Sequence, residues 1–492
     1  MVFSSPRFLL FLVVTLLVLG LLPGRDPRKR FLALASLFFY AAWDWRYVGL
    51  LLLISVIDYY TAWRISVSES PSVRRRWLAV SIVSNLGVLG YFKYCNFFIA
   101  TLGPLLASAG LPIPHLEILL PAGISFYTFK TMSYTIDVYR GELAPCRSWL
   151  DYATFITFFP ELIAGPIVRA SVFLPQLDRT PGPTRDRCVQ GLSLFLMGLF
   201  KKLVIADRMA LVVDPVFACP AVYSGPSLWC ATAAYTLQIY CDFSGYSDMA
   251  IGVARMIGYD LPENFNMPYA SGSLTEFWRR WHMTLSSWLR DYLYIPLGGN
   301  RHGAWRTYRN LALTMLLGGL WHGASWNFVL WGGLHGAGLA VHRLYRERVG
   351  RGFALPWPLG WALTLGFVMV AWVPFRAGSI SDTALCLSRM FGLAQVGGVT
   401  FLPFWLPVCG VVVIAAHALG AGLKTSPDRG EPGLIERGLR SLGMAARRDP
   451  IAGVCLVFDR PTFAGGVGAG LFLLTGFLLA ATNTNPFIYF QF

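Results

Sequence analysis

Apolar residues run along this chain in long uninterrupted blocks rather than in alternating or 3.6-period stripes. A block of roughly 18 or more apolar residues is long enough to cross a bilayer as a helix. Residues 8–22, 47–63, 77–102, 192–213, 228–257, 311–341, 361–375, 401–423 and 463–482 reach or approach that length. Shorter blocks at 31–43, 118–129 and 152–168 lie between them. At about 20 residues per span, the pattern predicts an all-α polytopic membrane protein with roughly 11–13 transmembrane helices, some short blocks re-entering rather than crossing. The block at 8–22 reads as the first span and not as a signal peptide, because its basic residues follow it and no small-residue cleavage site does.

Polar stretches are short. The longest, 424–461, is basic on balance and reads as a cytoplasmic connector before the last span. Residues 178–187 form a turn-rich connector. There is no internal repeat, low-complexity tract or soluble domain, so residues 1–492 read as a single membrane-embedded domain.

Composition agrees. Of the 492 residues, 55% are hydrophobic and only 14% charged, against about 25% charged in a soluble domain. The net charge of +15 would point to nucleic acid on a soluble protein. Here the basic residues sit in short loops between apolar blocks, the positive-inside pattern, and no nucleic-acid partner is expected. Arg25, Arg28, Lys29 and Arg30 follow the first block while only Arg7 precedes it, which predicts an N-terminus outside and a cytoplasmic first loop. Arg74, Arg75 and Arg76 fall two spans later, again on the cytoplasmic side. The nine cysteines show no CxxC spacing and read as small buried hydrophobes.

Polar groups at apolar depth are costly, so each is a candidate for function. They are densest between residues 264 and 335, and 274–341 reads as the catalytic core segment. Wound at about 100° per residue, residues 274–294 gather Leu274, Phe277, Trp281, Leu285 and Trp288 on one side. Glu276, Arg279, Arg280 and Arg290 gather on the other, with His282 at the border. That is the pattern of one helix lying in the membrane interface, on the cytoplasmic side.

The block at 311–341 carries His322, Asn327 and His335 among many glycines that permit close backbone approach. Gly323, Ala324 and Ser325 predict a break just after His322, leaving an imidazole walled by Trp321 and Trp326. A neutral buried imidazole can take a proton from a hydroxyl. It can equally be a structural ring bonded to a neighbouring helix. His335 reads as packing. His282 and His322 can meet only across two elements. Asp242, Tyr246 and Asp248 add two acids and a hydroxyl within the block at 228–257, as a helix-packing network or a tunnel wall. There is no HExxH, GxSxG, phosphate-binding loop or metal-ligand cluster.

The strings EFWRRWHMTLSSWLRDYLYIPLGGNR (276–301) and LLGGLWHGASWNFVLWGGLHG (316–336) resemble the membrane-bound O-acyltransferases, specifically the alginate O-acetyltransferase branch. GYFKYCNF (90–97), LPAGISFYTF (120–129), IAGPIVR (163–169), DFSGYSDMAIG (242–252) and the closing PFIYFQF (486–492) extend the resemblance along the chain. It implies a ring of membrane helices around a thinner centre and transfer of an acetyl group to a hydroxyl. His322 falls on the family's near-invariant histidine and His282 on its second. The implied donor is acetyl-CoA or another acyl thioester, with no tightly bound cofactor and no metal. The implied setting is the bacterial inner membrane, with a periplasmic partner of the SGNH-hydrolase-like type and an exopolysaccharide assembly complex. Arg279, Arg280 and Arg290 are candidates for drawing in a phosphate-rich donor or for contacting lipid headgroups. Glu161, in FFPELIAGP, departs from the His or Gln expected there. A transporter without bond chemistry, or an acyltransferase acting on lipid, teichoic acid or peptidoglycan, stays open on the residues alone.

Overall fold

The computed structural model describes residues 1–111, 114–179, 182–349, 355–394 and 398–423. The expected connector at 424–461 and last span at 463–482 lie outside them. Among the described residues the chain is helical, with one isolated bridge, Tyr223 to Val399, and no strand. Four helices are long and apolar enough to cross a membrane: Arg46–Val67, Pro71–Ser108, Arg185–Ala218 and Trp357–Arg376. Pro6–Leu21 and Leu406–His417 are shorter apolar helices. The 33-residue helix Gly225–Ile257 is also long enough at about 1.5 Å per residue but carries Asp242 and Asp248 within it. The protein is therefore an all-α polytopic membrane protein whose longest helices are interrupted by polar residues facing protein.

The contacts divide the chain into two compact units. The first comprises Met1–Leu192 and Ala250–Pro262. Its buried polar residues link helices. Asp58, on Arg46–Val67, accepts from Ser81 and, at 2.7 Å, from the Asn85 amide, both on Pro71–Leu89. Thr131, on Ile124–Arg140, donates to the Asn85 carbonyl at 2.7 Å. Three helices are thus joined by side-chain bonds where lipid-like surroundings supply no competing water. One residue before Thr131 on the same helix, Lys130 pairs with Glu161 and donates to the Phe155 carbonyl at 2.6 Å. Glu161 is therefore not a loose departure from a motif: it neutralises a buried lysine. Close packing explains the flanking glycines. A Cβ on Gly123 would stand 2.2 Å from the Leu162 carbonyl oxygen, and Gly123 also has φ +74°.

The second unit comprises Ser193–Met249 and Glu263–Phe492. Its central feature is a hairpin of Ala304–His322 and Trp326–Arg348. The glycines expected to allow close approach do so: a Cβ on Gly319 would lie 2.2 Å from the Phe328 carbonyl oxygen, and one on Gly332 2.3 Å from that of Met315. A π-helical turn at Lys201–Ala206 turns two adjacent lysines toward Gly225–Ile257. Lys201 pairs with Asp248 at 2.6 Å; Lys202 pairs with Asp242 and Asp207, each at 2.8 Å.

Two outcomes follow for the first unit. Asp58→Ala strands the Ser81 and Asn85 donors and is expected to lower stability by about 1–3 kcal/mol per donor. Thermal unfolding in detergent measures this, and an unchanged midpoint would contradict the bonding scheme. Lys130→Met leaves a buried carboxylate alone and is expected to destabilise by about 3–5 kcal/mol. The double variant Lys130→Met/Glu161→Gln should recover most of the loss. Equal loss in single and double variants would reject the pairing.

Candidate active site

Residues 274–294 do not form the single interfacial helix expected. They form two seven-residue helices, Leu274–Arg280 and Met283–Leu289, followed by a π-helical turn, Arg290–Tyr294. The break falls on His282, whose φ of 42° and ψ of 56° are left-handed, a conformation unfavourable for a residue with a Cβ. The periodicity misleads because the aromatic face it finds is core on both sides of the break: Phe277, Trp281, Leu285 and Trp288 are all buried. Arg280 is buried too, and binds Glu276 at 2.8 Å and the Asn266 carbonyl at 3.2 Å. It is not available to a donor or headgroup. Arg279 and Arg290 are exposed, Arg290 pairing with Asp291 at 2.6 Å.

His282 is fully buried and held from the segment 264–266. Its Nδ1 lies 2.9 Å from the Asn264 Oδ1. Two backbone bonds, Asn266 N–H to the Arg280 carbonyl at 2.9 Å and Met283 N–H to the Asn264 carbonyl at 2.8 Å, bind that segment across the break. The ring meets Phe243 edge-on at 4.7 Å and Trp321 at 6.0 Å.

His322 ends the Ala304–His322 helix, as expected from the residues that follow it. Gly323 is extended, with φ −162° and ψ 150°, and a Cβ there would stand 2.1 Å from the Phe328 ring. Ser325 then caps the next helix by accepting from the Asn327 N–H at 3.2 Å. The His322 ring is enclosed by Trp321 at 5.1 Å, Trp331 at 5.1 Å and Phe375 at 5.3 Å. Trp326 is not a wall of this enclosure. As the first residue of the returning helix it is 52% exposed, and Trp331, more than a turn further on, takes the place expected of it.

Trp321 therefore touches both imidazoles and brings His282 and His322 into one aromatic cluster. Asn327 donates to the Ala377 carbonyl at 2.7 Å and accepts from Thr383 at 3.3 Å, tying the hairpin to the chain around 377–383. Asp242 and Asp248 bind lysines, and Tyr246 is buried on the same helix. These contacts match the helix-packing reading of the segment. His335 accepts from the Trp278 indole N–H at 3.3 Å and packs against Trp331 at 4.8 Å, a packing role as expected.

Asn264, Trp331 and Phe375 also belong to the cluster. The three-residue break at 323–325 foretells a hairpin, so a ring early in the returning helix can be anticipated. No local pattern connects Asn264 or Phe375 to a histidine.

The family model of the membrane-bound O-acyltransferases matches residues 42–375, which include both histidines. The chain is 41% identical to the probable alginate O-acetylase AlgI of Azotobacter vinelandii, over all of both chains. It is 45% identical to that of Pseudomonas aeruginosa over 80% of this chain and 75% of the relative. It is 40% identical to the peptidoglycan O-acetyltransferase of Helicobacter pylori over 80% of this chain and 81% of the relative. A helical, membrane-spanning chain matched by the family model over residues 42–375, and from end to end by the Azotobacter vinelandii relative, belongs to the membrane-bound O-acyltransferase family and is an O-acyltransferase.

Proposed function

We propose that this protein takes an acetyl group from a cytoplasmic acyl thioester, such as acetyl-CoA, and moves it across the bacterial inner membrane for O-acetylation of an exported polysaccharide. The acceptor is a periplasmic partner of the SGNH-hydrolase-like type, working beside an exopolysaccharide assembly complex, and the N-terminus lies in the periplasm. The observation that carries the chemistry is the placement of His282 and His322 against one indole, Trp321. The full-length match to the Azotobacter vinelandii relative supports an alginate-like polysaccharide. The Helicobacter pylori relative supports peptidoglycan as the second reading.

A thioester is already activated, so transfer needs a base for the attacking hydroxyl and a polar environment for the carbonyl oxygen. His322 is assigned as the base in preference to His282. His322 stands where its helix ends at the break, and it is the position on which the resemblance puts the family's near-invariant histidine. The hydroxyl gives its proton to His322 while its oxygen bonds to the carbonyl carbon. The C–S bond breaks, and the imidazolium returns the proton to the departing thiolate. His282 assists from the cytoplasmic side, orienting the donor or stabilising charge. Exposed Arg279 and Arg290 draw a phosphate-rich donor toward the site by long-range attraction.

His322→Ala is expected to lower acetyl transfer by at least about 10²-fold, the low end for a lost general base, with normal amounts in the membrane. Labelled-acetyl transfer in membranes from cells producing the full chain measures it. Activity within a few-fold of the native protein would reject His322 as the base.

A further inference from the structure

The hydrogen bonds around Asn264 determine the protonation of His282. Asn264 Oδ1 faces the Thr284 backbone N–H at 3.4 Å and the Thr284 hydroxyl at 2.9 Å. A backbone N–H can only donate, so the atom it faces is the amide oxygen and not the NH₂ group. The NH₂ group then donates to Ser247 Oγ at 3.2 Å. The amide cannot be turned over without setting two donors against each other. With the oxygen so placed, the His282 Nδ1 at 2.9 Å must carry the hydrogen. Nε2 is left with a lone pair and no hydrogen-bond partner among the described residues, on a ring that is fully buried.

We propose that Asn264 is a positioning residue for the acyl transfer: it holds His282 in the Nδ1–H form, so that the ring presents Nε2 as its acceptor atom within the aromatic cluster. This rests on the reading that the two-histidine cluster is where transfer occurs.

Two further observations support it. The backbone at His282 is left-handed, and the flanking backbone bonds between 264–266 and 280–283 hold that unfavourable conformation in place beside Asn264. His417 in the same unit also carries its hydrogen on Nδ1, given to the Val413 carbonyl of its own helix at 2.8 Å, but with neither a left-handed backbone nor a side-chain acceptor from a second segment. His335 provides the contrast within the same unit. It accepts from an indole N–H at Nδ1, which puts its hydrogen on Nε2, the opposite tautomer. Only His282 of these two buried rings offers a free lone pair. When Nε2 takes a hydrogen bond or a proton, the Asn264 oxygen is already placed to share the developing charge through Nδ1–H.

Charged groups stand on three of the elements around the ring. Arg280, bound to Glu276, lies on its own segment; Asp242, bound to Lys202, lies on the helix of Phe243; and Glu263 adjoins Asn264, while the titratable imidazole of His322 follows Trp321 on the remaining element. Substituting Asn264 leaves all of them in place.

Three variants of the full-length chain, assayed in native membranes, test the proposal. Asn264→Leu removes the acceptor and is expected to lower transfer by about 10–100-fold, the range for losing a histidine's supporting bond. Asn264→Asp restores an acceptor and should keep activity within about 10-fold of native. Its acid limb should move to higher pH, because a carboxylate beside Nδ1–H favours the imidazolium. Ser247→Ala loses only the partner of the NH₂ group and should stay close to native. If Ser247→Ala falls as far as Asn264→Leu, and the Asn264→Asp pH profile overlays the native one, Asn264 serves packing alone. A direct readout is independent of activity. In ¹⁵N-histidine-labelled protein, the signal lost in His282→Gln should show a protonated Nδ1 and a bare Nε2. A protonated Nε2 on that ring overturns the proposal. Retained activity in His322→Ala would remove the base assigned above without touching this result.

Discussion

Two places where the helix stops govern the candidate site. At His322 the chain leaves its helix because Gly323 is extended against the Phe328 ring. At His282 it breaks because a left-handed residue separates two short helices. In apolar surroundings a broken backbone is tolerated only where protein satisfies the freed groups. Ser325 does so after His322, and the segment 264–266 does so around His282. The breaks are therefore features of the protein interior, and each leaves an imidazole where a continuous helix would have offered only packing. Trp321 lies against both.

The same constraint orders the first unit. Asp58 reaches Ser81 and Asn85, and Lys130 reaches Glu161, because a polar side chain without water must find its partner on another helix. Such bonds help fix which helices are neighbours, a task that hydrophobic burial performs weakly between apolar surfaces in a membrane. In the second unit the π-helical turn at Lys201–Ala206 does comparable work, turning two adjacent lysines toward acids on Gly225–Ile257.

What could be read from sequence followed from which signals are local. Long apolar blocks declare membrane helices, and glycine-rich stretches declare close hairpins, because both depend on neighbouring residues. His322 stood out because Gly323, Ala324 and Ser325 mark a helix end in sequence as well as in space. His282 was visible as a histidine but not as a break. Its left-handed backbone comes from bonds to 264–266, and the aromatic period continues across it as if the helix did. Trp326 adjoins the break in sequence, whereas the hairpin's return brings Trp331 against the imidazole. Arg280 was assigned to the surface by its place on a helical wheel, yet its partners Glu276 and Asn266 hold it inside. Polar partners contributed by a second segment have no periodicity to reveal them.

Bond chemistry, and not passage of an intact molecule, takes place in this protein. Purified full-length chain in lipid vesicles, given a thioester carrying labelled acetyl and a hydroxyl acceptor, tests this most directly. Release of free thiol in step with labelled O-acetyl ester on the acceptor is the result expected. Thioester that remains whole, or that crosses the vesicle wall unchanged, would contradict it.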